Sequence, residues 1–267
     1  MSPTLRSAAG SDVGRRRPIN QDSAVTSPRL LAVADGMGGH AHGEVASSVA
    51  VAALLDMDAR LRGTELSGVD LLSTLHEAID AAGARLTELG HQEPELRGTG
   101  TTVVAFLVDG LRIGVLHIGD SRAYLLRDGE LHRLTHDHTL VQSLVDEGRI
   151  SEAEAATHPR RSWLVKTLQD GSTPEPDLFM LEGAAGDRYL ICSDGVTAVL
   201  DDTAIHDVLA GAGAPSDAVV RLIELANEGG GPDNITCVVT DFVEDAEDAE
   251  PVPDEPVVVG AAVSARS

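Results

Sequence analysis

Four aspartates stand at the ends of apolar runs, where their carboxylates could bind a metal ion. Asp35, Asp120 and Asp194 each follow such a run and lie next to a glycine, whereas Asp233 precedes one. Apolar runs of this length between Gly-containing turns predict buried strands. If the last strand runs antiparallel to the other three, all four carboxylates meet at one edge of the fold. Because carboxylates held this close repel one another, the arrangement predicts that divalent cations neutralise them.

The segment after Asp35 is suited to a tight turn before a helix. Three glycines within residues 36–39 let the backbone come close to whatever Asp35 holds. Helically spaced apolar residues then predict helices over about 42–59 and 68–90. Asp-Gly is also a common turn dipeptide, as at Asp109 in this chain. This segment alone therefore leaves a plain turn and a metal ligand equally open.

The composition excludes several classes of partner. The formal net charge of −23 over 267 residues argues against general nucleic-acid binding. No run approaches the roughly 18 apolar residues of a membrane span, and the N-terminus lacks the apolar segment of a signal peptide. Both cysteines, Cys192 and Cys237, lie inside apolar runs and are expected to be reduced core residues. The expectation is a cytoplasmic protein without membrane attachment.

Strand and helix patterns occur in separate blocks, which favours an α+β fold with helices outside antiparallel sheets. Strand signals recur through 100–134 and 175–242, and between them residues 135–170 show only short helical pieces. One domain is expected over 1–243. It is followed by an acidic, Pro-containing tail at 244–267, which is expected to be disordered because its composition cannot form a core.

Six motifs, in order along the chain, resemble those of the bacterial metal-dependent protein serine/threonine phosphatases, the protein phosphatase 2C or PPM family. The motifs are Arg17-Pro-Ile-Asn-Gln-Asp22, Asp35-Gly-Met-Gly-Gly-His40, Gly98-Thr-Gly-Thr-Thr102, Gly119-Asp-Ser-Arg122, Ser193-Asp-Gly195 and Gly231-Pro-Asp-Asn234. The resemblance covers residues from about 4 to 242. It implies the four-layer αββα fold of that family, a central β-sandwich of two antiparallel sheets flanked by α-helices, with the metals at one edge.

The resemblance also implies a set of metal ligands. Asp35 would bridge two ions, with the backbone carbonyl of Gly36 completing one of them, and Asp194 and Asp233 would bind the other. An all-oxygen site suits hard cations, so two Mn²⁺ or Mg²⁺ ions per chain are implied. Asp120 is a candidate ligand for a weak third ion.

The activity implied is the hydrolysis of phosphoserine and phosphothreonine in phosphorylated protein substrates. A water molecule bridging the two ions would attack phosphorus directly, and Arg17 would grip the phosphate bidentately. The metal ligands would be held in position by residues that do not bind the ions themselves: Gln21, Asp22 and Asn234. Without the resemblance, Arg17 would instead be interpreted as one of three solvated arginines, and Asn234 as a residue that shapes its loop.

Three positions depart from the broader family pattern. Gln21 stands where many members have a glutamate that reaches a metal ion through water. Met37 stands where animal members have a histidine proposed as the general acid, which leaves the proton donor open. Ala198 stands where many members have an aspartate that helps to hold the third ion, so that ion is expected to bind weakly here.

Residues 135–170 correspond to the segment called the flap in bacterial members. Its basic residues, among them Arg160 and Arg161, either steer phosphorylated substrate or form an ordinary charged surface, and the sequence leaves both open. Two alternatives to a general phosphatase also remain. One is a catalytically silent relative that binds a regulatory partner, and the other is a phosphatase dedicated to one regulatory phosphoprotein. A monomer is expected.

Overall fold

Mostly apolar strands form two antiparallel sheets in the computed structural model of this chain, which describes residues 4–38, 42–171, 174–243 and 255–266. The strands are β1 (Thr4–Asp12), β2 (Asp22–Thr26), β3 (Leu30–Met37), β4 (Gly100–Thr101), β5 (Val103–Asp109), β6 (Arg112–Ile118), β7 (Arg122–Arg127), β8 (Glu130–Arg133), β9 (Leu168–Gln169), β10 (Asp177–Glu182), β11 (Arg188–Cys192), β12 (Ile235–Val243) and β13 (Val257–Gly260). The first sheet has the spatial order β1-β12-β11-β7-β8. The second has the order β10-β6-β5-β3-β2-β13, with β4 and β9 attached beside β3.

Helices cover the outer faces of both sheets. The helices of the described residues are α1 (Gly43–Arg60), α2 (Leu71–Gln92), α3 (Leu140–Asp146), α4 (Glu152–Thr157), α5 (Asp194–Thr197), α6 (Asp202–Gly211) and α7 (Pro215–Glu228), with short 3₁₀ turns at Pro94–Leu96 and Ala261–Arg266. The first two pack on the second sheet, and α5 to α7 pack on the first. The four-layer αββα sandwich predicted from the resemblance is confirmed.

The core consists of three apolar layers. The middle layer lies between the sheets, where Tyr189 contacts Phe106 edge to face and also contacts Phe242. Burying one apolar side chain there stabilises the folded state by about 1.5–3 kcal/mol. The helix predicted over 68–90 begins at Leu71 instead, because the Asp70 side chain accepts the first free backbone N–H groups and so caps the helix.

Strand direction brings the predicted ligand positions to one edge of the sandwich. Cys192 of β11 lies opposite Cys237 of β12 in an antiparallel pair, so the residues after β11 meet those before β12. In the second sheet, β3 and β6 both pair antiparallel with β5 and therefore run in the same direction. This is the arrangement that the sequence required.

The predicted disorder of the tail is wrong for its last part. β13 pairs antiparallel with β2, from Val257 opposite Thr26 to Gly260 opposite Ser23. Ala262 is then only 5% exposed, and its N–H donates to the Ser23 hydroxyl at 3.1 Å. Three consecutive valines favour a strand and cover the otherwise open edge of β2, a local signal that the acidic composition of the whole tail concealed. Residues 244–254 lie outside the described residues, so the prediction for them stays untested.

Removing the C-terminal segment should lower stability, which reverses the simplest expectation for an acidic tail. A chain ending after Asp245 should melt several degrees lower in thermal unfolding, because the β2 edge and the pocket of Ala262 become exposed. Gly260→Val tests the same contact without removing any residues. The φ angle of Gly260 is +79°, and a Cβ atom there would lie 2.2 Å from the carbonyl oxygen of Asp22, so the substitution should also undock β13. Unchanged melting in both variants would contradict this docking.

Within the described ranges, none of the helices combines the length and apolar character needed to cross a bilayer. The segment 135–170 contains α3 and α4 and returns to the sandwich through β9, in agreement with the short helical pieces expected there.

Candidate active site

Five aspartates converge at the predicted edge. Asp35 lies near the end of β3 and Asp22 opposite it on β2. Asp120 follows β6, Asp194 begins α5 directly after β11, and Asp233 precedes β12. The carboxyl groups of Asp35 and Asp194 interact with each other, and the charges of Asp22, Asp120 and Asp233 also act on Asp35. The fold therefore brings together all four carboxylates singled out by strand ends, with Asp22 as a fifth.

The pKa values of four of these carboxyl groups are raised above the ordinary value of aspartate. Burial, together with the charges of neighbouring aspartates, raises the pKa of Asp22 to about 7 and that of Asp120 to about 8. Burial and the charge of Asp233 raise the pKa of Asp194 to about 6. For Asp35, burial and the charges of Asp22 and Asp194 raise the pKa well above its usual range. Clustered carboxylates without a cation thus retain protons.

The donor atoms fit a hard divalent cation. Asp22 is 1% exposed, and its Oδ1 has no hydrogen-bond partner among the described atoms, although Ser193 donates to Oδ2 at 2.8 Å. A buried polar atom of this kind needs a ligand or water. Among the residues that the structure describes, the aspartates at this edge offer oxygen donors, which Mn²⁺ and Mg²⁺ prefer. The residues therefore fit the ions expected from the sequence.

Gly36 is the position at which the backbone itself could bind an ion. A Cβ atom at Gly36 would lie 2.1 Å from the carbonyl oxygen of Gly43 and 2.5 Å from that of Gln21. Only glycine fits this contact between β3, β2 and the start of α1. The backbone of Asp35 is fixed as well, because its carbonyl accepts from the N–H of Thr102 at 2.9 Å. The ligand roles predicted for Asp35 and Gly36 stay predictions, but their positions agree with them.

Arg17 places a cationic group beside Asp233 at this edge, and Arg122 places another near Asp120. The Arg17 guanidinium donates to Oδ2 of Asp233 at 2.6 Å, while its side chain remains 48% exposed. Partial burial alone would lower its pKa, but the Asp233 hydrogen bond and the charges of Asp35 and Asp194 raise it. A charged, accessible guanidinium beside the carboxylates is placed to contact a phosphate bound there.

Asn234 joins the loop that carries Arg17 to the metal edge. It is 4% exposed, and its Oδ1 accepts the backbone N–H of Gln21 at 2.9 Å. Its Nδ2 donates to the carbonyls of Val13 and Ile19, each at 2.9 Å. One amide therefore fixes three backbone points of the 13–21 loop next to Asp233, which agrees with the supporting role predicted for Asn234.

The sequence reasoning missed two side chains that contact the site. Ser193 holds Asp22 through the hydrogen bond described above, and its position directly before Asp194 was the available signal. Glu44, at the start of α1, accepts from Nε2 of Gln21 at 3.1 Å. No local pattern indicated this second contact, because it joins the residue before β2 to a helical residue 23 positions further along the chain.

A cavity of about 620 Å³ opens beside Asp120 and Asp194, between the sandwich and the 135–170 segment. Arg161 and Ser162 contribute to the far wall, and Ala198 lies on the near wall. Space for a bound ligand therefore exists next to the carboxylate edge.

A second cluster with ligand-like spacing lies outside this site, among the described residues: His117, His138 and Asp177. The rings of His117 and His138 are stacked 4.7 Å apart. Nδ1 of His138 accepts the N–H of Gly119 at 3.0 Å, so its proton is on Nε2, which faces Asp177 at 3.1 Å. Neither nitrogen of His138 is free to bind a metal, and the cluster is a structural contact.

The raised carboxyl pKa values give the metal-free protein an unusual pH dependence. Each folded-state pKa lies above the unfolded value, so the folded state binds more protons and loses stability as pH rises. With a chelator present, the melting temperature should fall from about pH 4, near the ordinary pKa of aspartate, to about pH 8, because the folded-state pKa values are about 6, 7 and 8 for Asp194, Asp22 and Asp120. Saturating Mn²⁺ should abolish the fall, because bound cations replace the protons. A metal-free melting temperature that rises throughout this range would contradict the electrostatic account.

Comparison with known proteins places the chain in a family. The profile described as Protein phosphatase 2C matches residues 10–217. The serine/threonine protein phosphatase PstP of Mycobacterium tuberculosis is 50% identical over 240 residues, which is 90% of this chain and 45% of that protein. The serine/threonine phosphatase stp of Listeria monocytogenes is 35% identical over 237 residues, 86% of this chain and 93% of that protein. The chain belongs to the protein phosphatase 2C family.

Solved structures agree with this assignment. A crystal structure of Mycobacterium tuberculosis PstP superimposes with a TM-score of 0.85 at 50% identity, covering 90% of this chain and all of that one. The catalytic domain of PstP in complex with two manganese ions gives a TM-score of 0.83 at 48% identity, covering 91% of this chain and all of that one. The chain spans about half the length of the mycobacterial relatives it matches.

Proposed function

We propose that this chain is a Mn²⁺- or Mg²⁺-dependent phosphatase that hydrolyses phosphoserine and phosphothreonine in proteins. The observation that carries the proposal is the convergence of five aspartates at one edge with the accessible guanidinium of Arg17 beside them. The manganese-bound relative, nearly half identical in sequence, supports the same assignment.

Each group at the edge has a task in this reaction. Asp35 and the Gly36 carbonyl would hold one ion, and Asp35, Asp194 and Asp233 would hold the other. Bound there, Mn²⁺ or Mg²⁺ would acidify a water molecule and neutralise charge on the phosphoryl group. Arg17 would orient the phosphate, since a guanidinium matches two of its oxygens at once. Asn234 would keep Arg17 and Asp233 in register through its three backbone contacts.

The alternative of a silent partner-binding module is less well supported. Five mutually repelling carboxyl groups are costly to keep in a fold that does not use them, since their pKa shifts reduce its stability at neutral pH. The site is also complete within one chain, which supports a monomer. Cys192 and Cys237 are buried free thiols on paired strands, which suits the reducing conditions of a cytoplasmic location.

The proposal is tested by phosphate release from a panel of phosphoserine, phosphothreonine and phosphotyrosine peptides. Release from the first two with Mn²⁺, and its loss with a chelator, is expected. Equal release with and without the chelator, or preference for phosphotyrosine, would overturn the proposal.

A third, weak ion beside Asp120 is part of the same proposal. Asp120, Asp194 and Ala198 all line the cavity described above, and only the first two offer oxygen donors. Because metal affinity rises with ligand charge and count, Ala198→Asp should tighten a third Mn²⁺ site without changing the first two. Calorimetric titration of both proteins measures this. Three equally tight sites in the unmodified chain, or no change on substitution, would contradict it.

A further inference from the structure

In the metal site of the proposed function, on which this inference rests, the ion at the Gly36 carbonyl would have few protein ligands. Asp35 supplies its only carboxylate, and it is shared with the other ion. Hard cations complete such a shell with water molecules, and those waters need hydrogen-bond acceptors nearby. Side chains near the Gly36 carbonyl must therefore supply these acceptors.

The start of α1 is in direct contact with Gly36. A Cβ atom at Gly43 would lie 2.6 Å from the carbonyl oxygen of Gly36, and one at Gly36 would lie 2.1 Å from the carbonyl oxygen of Gly43. Glu44, the next residue, is therefore carried on the turn that touches the proposed ligand carbonyl. Its side chain is one-third exposed, and its other carboxyl oxygen lies 3.7 Å from Nδ1 of His42.

Glu44 fixes the side chain of Gln21. A carboxylate can only accept hydrogen bonds, so the group of Gln21 that faces it at 3.1 Å must be the amide nitrogen. The backbone of Gln21 is held on both sides, because Asn234 accepts its N–H and Ser47 donates to its carbonyl at 2.6 Å. With the backbone and Nε2 fixed, Oε1 of Gln21 is an acceptor without a hydrogen-bond partner in the part of the chain that the structure describes.

We propose that Glu44 is a positioning residue for the ion held at the Gly36 carbonyl. By binding Nε2 of Gln21, Glu44 keeps Oε1 turned toward the water shell of that ion, where it accepts a hydrogen bond. Glu44 acts through Gln21, so neither residue can support the ion without the other. The other ion, held by Asp194 and Asp233, is supported from a different side and does not depend on the pair.

Mn²⁺ titration by calorimetry tests the proposal independently of activity. Glu44→Ala and Gln21→Ala should each weaken the same one of the two sites by about 10- to 100-fold, the usual effect of removing a group that orients a metal's shell. The variant Glu88→Ala is the matched control. It removes a similar glutamine–glutamate contact, from Gln92 on the exposed face of α2, and should leave both affinities unchanged.

The double variant distinguishes action through Gln21 from an independent effect. Because Glu44 acts through Gln21, the combined substitutions should weaken the site no more than either alone. Unchanged affinities in Glu44→Ala, or losses that multiply in the double variant, would overturn the proposal. If the unmodified chain binds no Mn²⁺, the proposed function fails as well. If it binds two ions and Glu44→Ala binds them equally tightly, only this inference fails.

Discussion

Asp194→Asn should abolish Mn²⁺-dependent phosphate release and at the same time raise the melting temperature of the metal-free protein. Metal ions contribute several kcal/mol to such reactions, so a loss of about three orders of magnitude or more in kcat is expected. The stabilisation follows because the substitution removes one of several mutually repelling carboxylates, whose pKa is already raised to about 6. Asp35→Asn should behave in the same way, with the melting temperature a few degrees higher in chelator.

A buried carboxylate outside the site provides a control in which substitution should lower the melting temperature. Asp187 is 2% exposed and accepts from Arg127 at 2.6 and 2.7 Å and from the hydroxyl of Tyr189 at 2.9 Å. Asp187→Asn removes the charge that these donors share, so it should lower the melting temperature without altering the Mn²⁺-induced shift. An Asp194→Asn variant that is less stable in chelator, or that keeps near-normal turnover, would refute the assignment of Asp194 as a ligand.

Arg17→Ala should raise KM and lower kcat, with a combined loss of roughly 100-fold in kcat/KM, as for removal of one preorganised donor to a transition-state oxygen. The Mn²⁺ affinity should not weaken, and should improve slightly, because the substitution removes a positive charge that now contacts Asp233. Steady-state kinetics at saturating Mn²⁺, paired with calorimetric titration, separate the two effects.

Arg16→Ala is the matched control for Arg17. It removes an exposed arginine from the same loop and alters the net charge equally. If the two variants have equal kinetics, Arg17 acts only as a general surface charge, as the sequence alone allowed. If Arg17→Ala weakens Mn²⁺ binding, its role is to organise Asp233 and not to grip phosphate.

The metal-edge chemistry was accessible from sequence because it depends on local signals. Asp35, Asp120 and Asp194 terminate apolar strands, and Asp233 precedes one, so strand direction alone placed them at one edge. The antiparallel order of β11 and β12 confirms that step. The family motifs then added Arg17, whose contact with Asp233 was invisible to any pattern of spacing, since 216 residues separate the two.

The tail shows where composition misleads. Its acidic residues predicted disorder, yet Val257–Gly260 forms a strand because β2 presents an open edge that those valines can pair with. Nothing in the tail itself encodes the presence of that edge. The start of α2 is the opposite case: its cap at Asp70 is local, so the sequence could have given the correct first residue.

The sequence by itself determined which residue types could bind metal and phosphate, and on which strands and turns they lie. Tertiary structure alone decided which groups support them: Asn234 with the 13–21 loop, Ser193 with Asp22, and Glu44 with Gln21. It also decided how far each carboxyl pKa is raised, because that depends on burial and on charges brought together from distant strands. Strand ends are set by short-range patterns, whereas hydrogen bonds and electrostatic coupling between separate elements exist only once the sheets have packed.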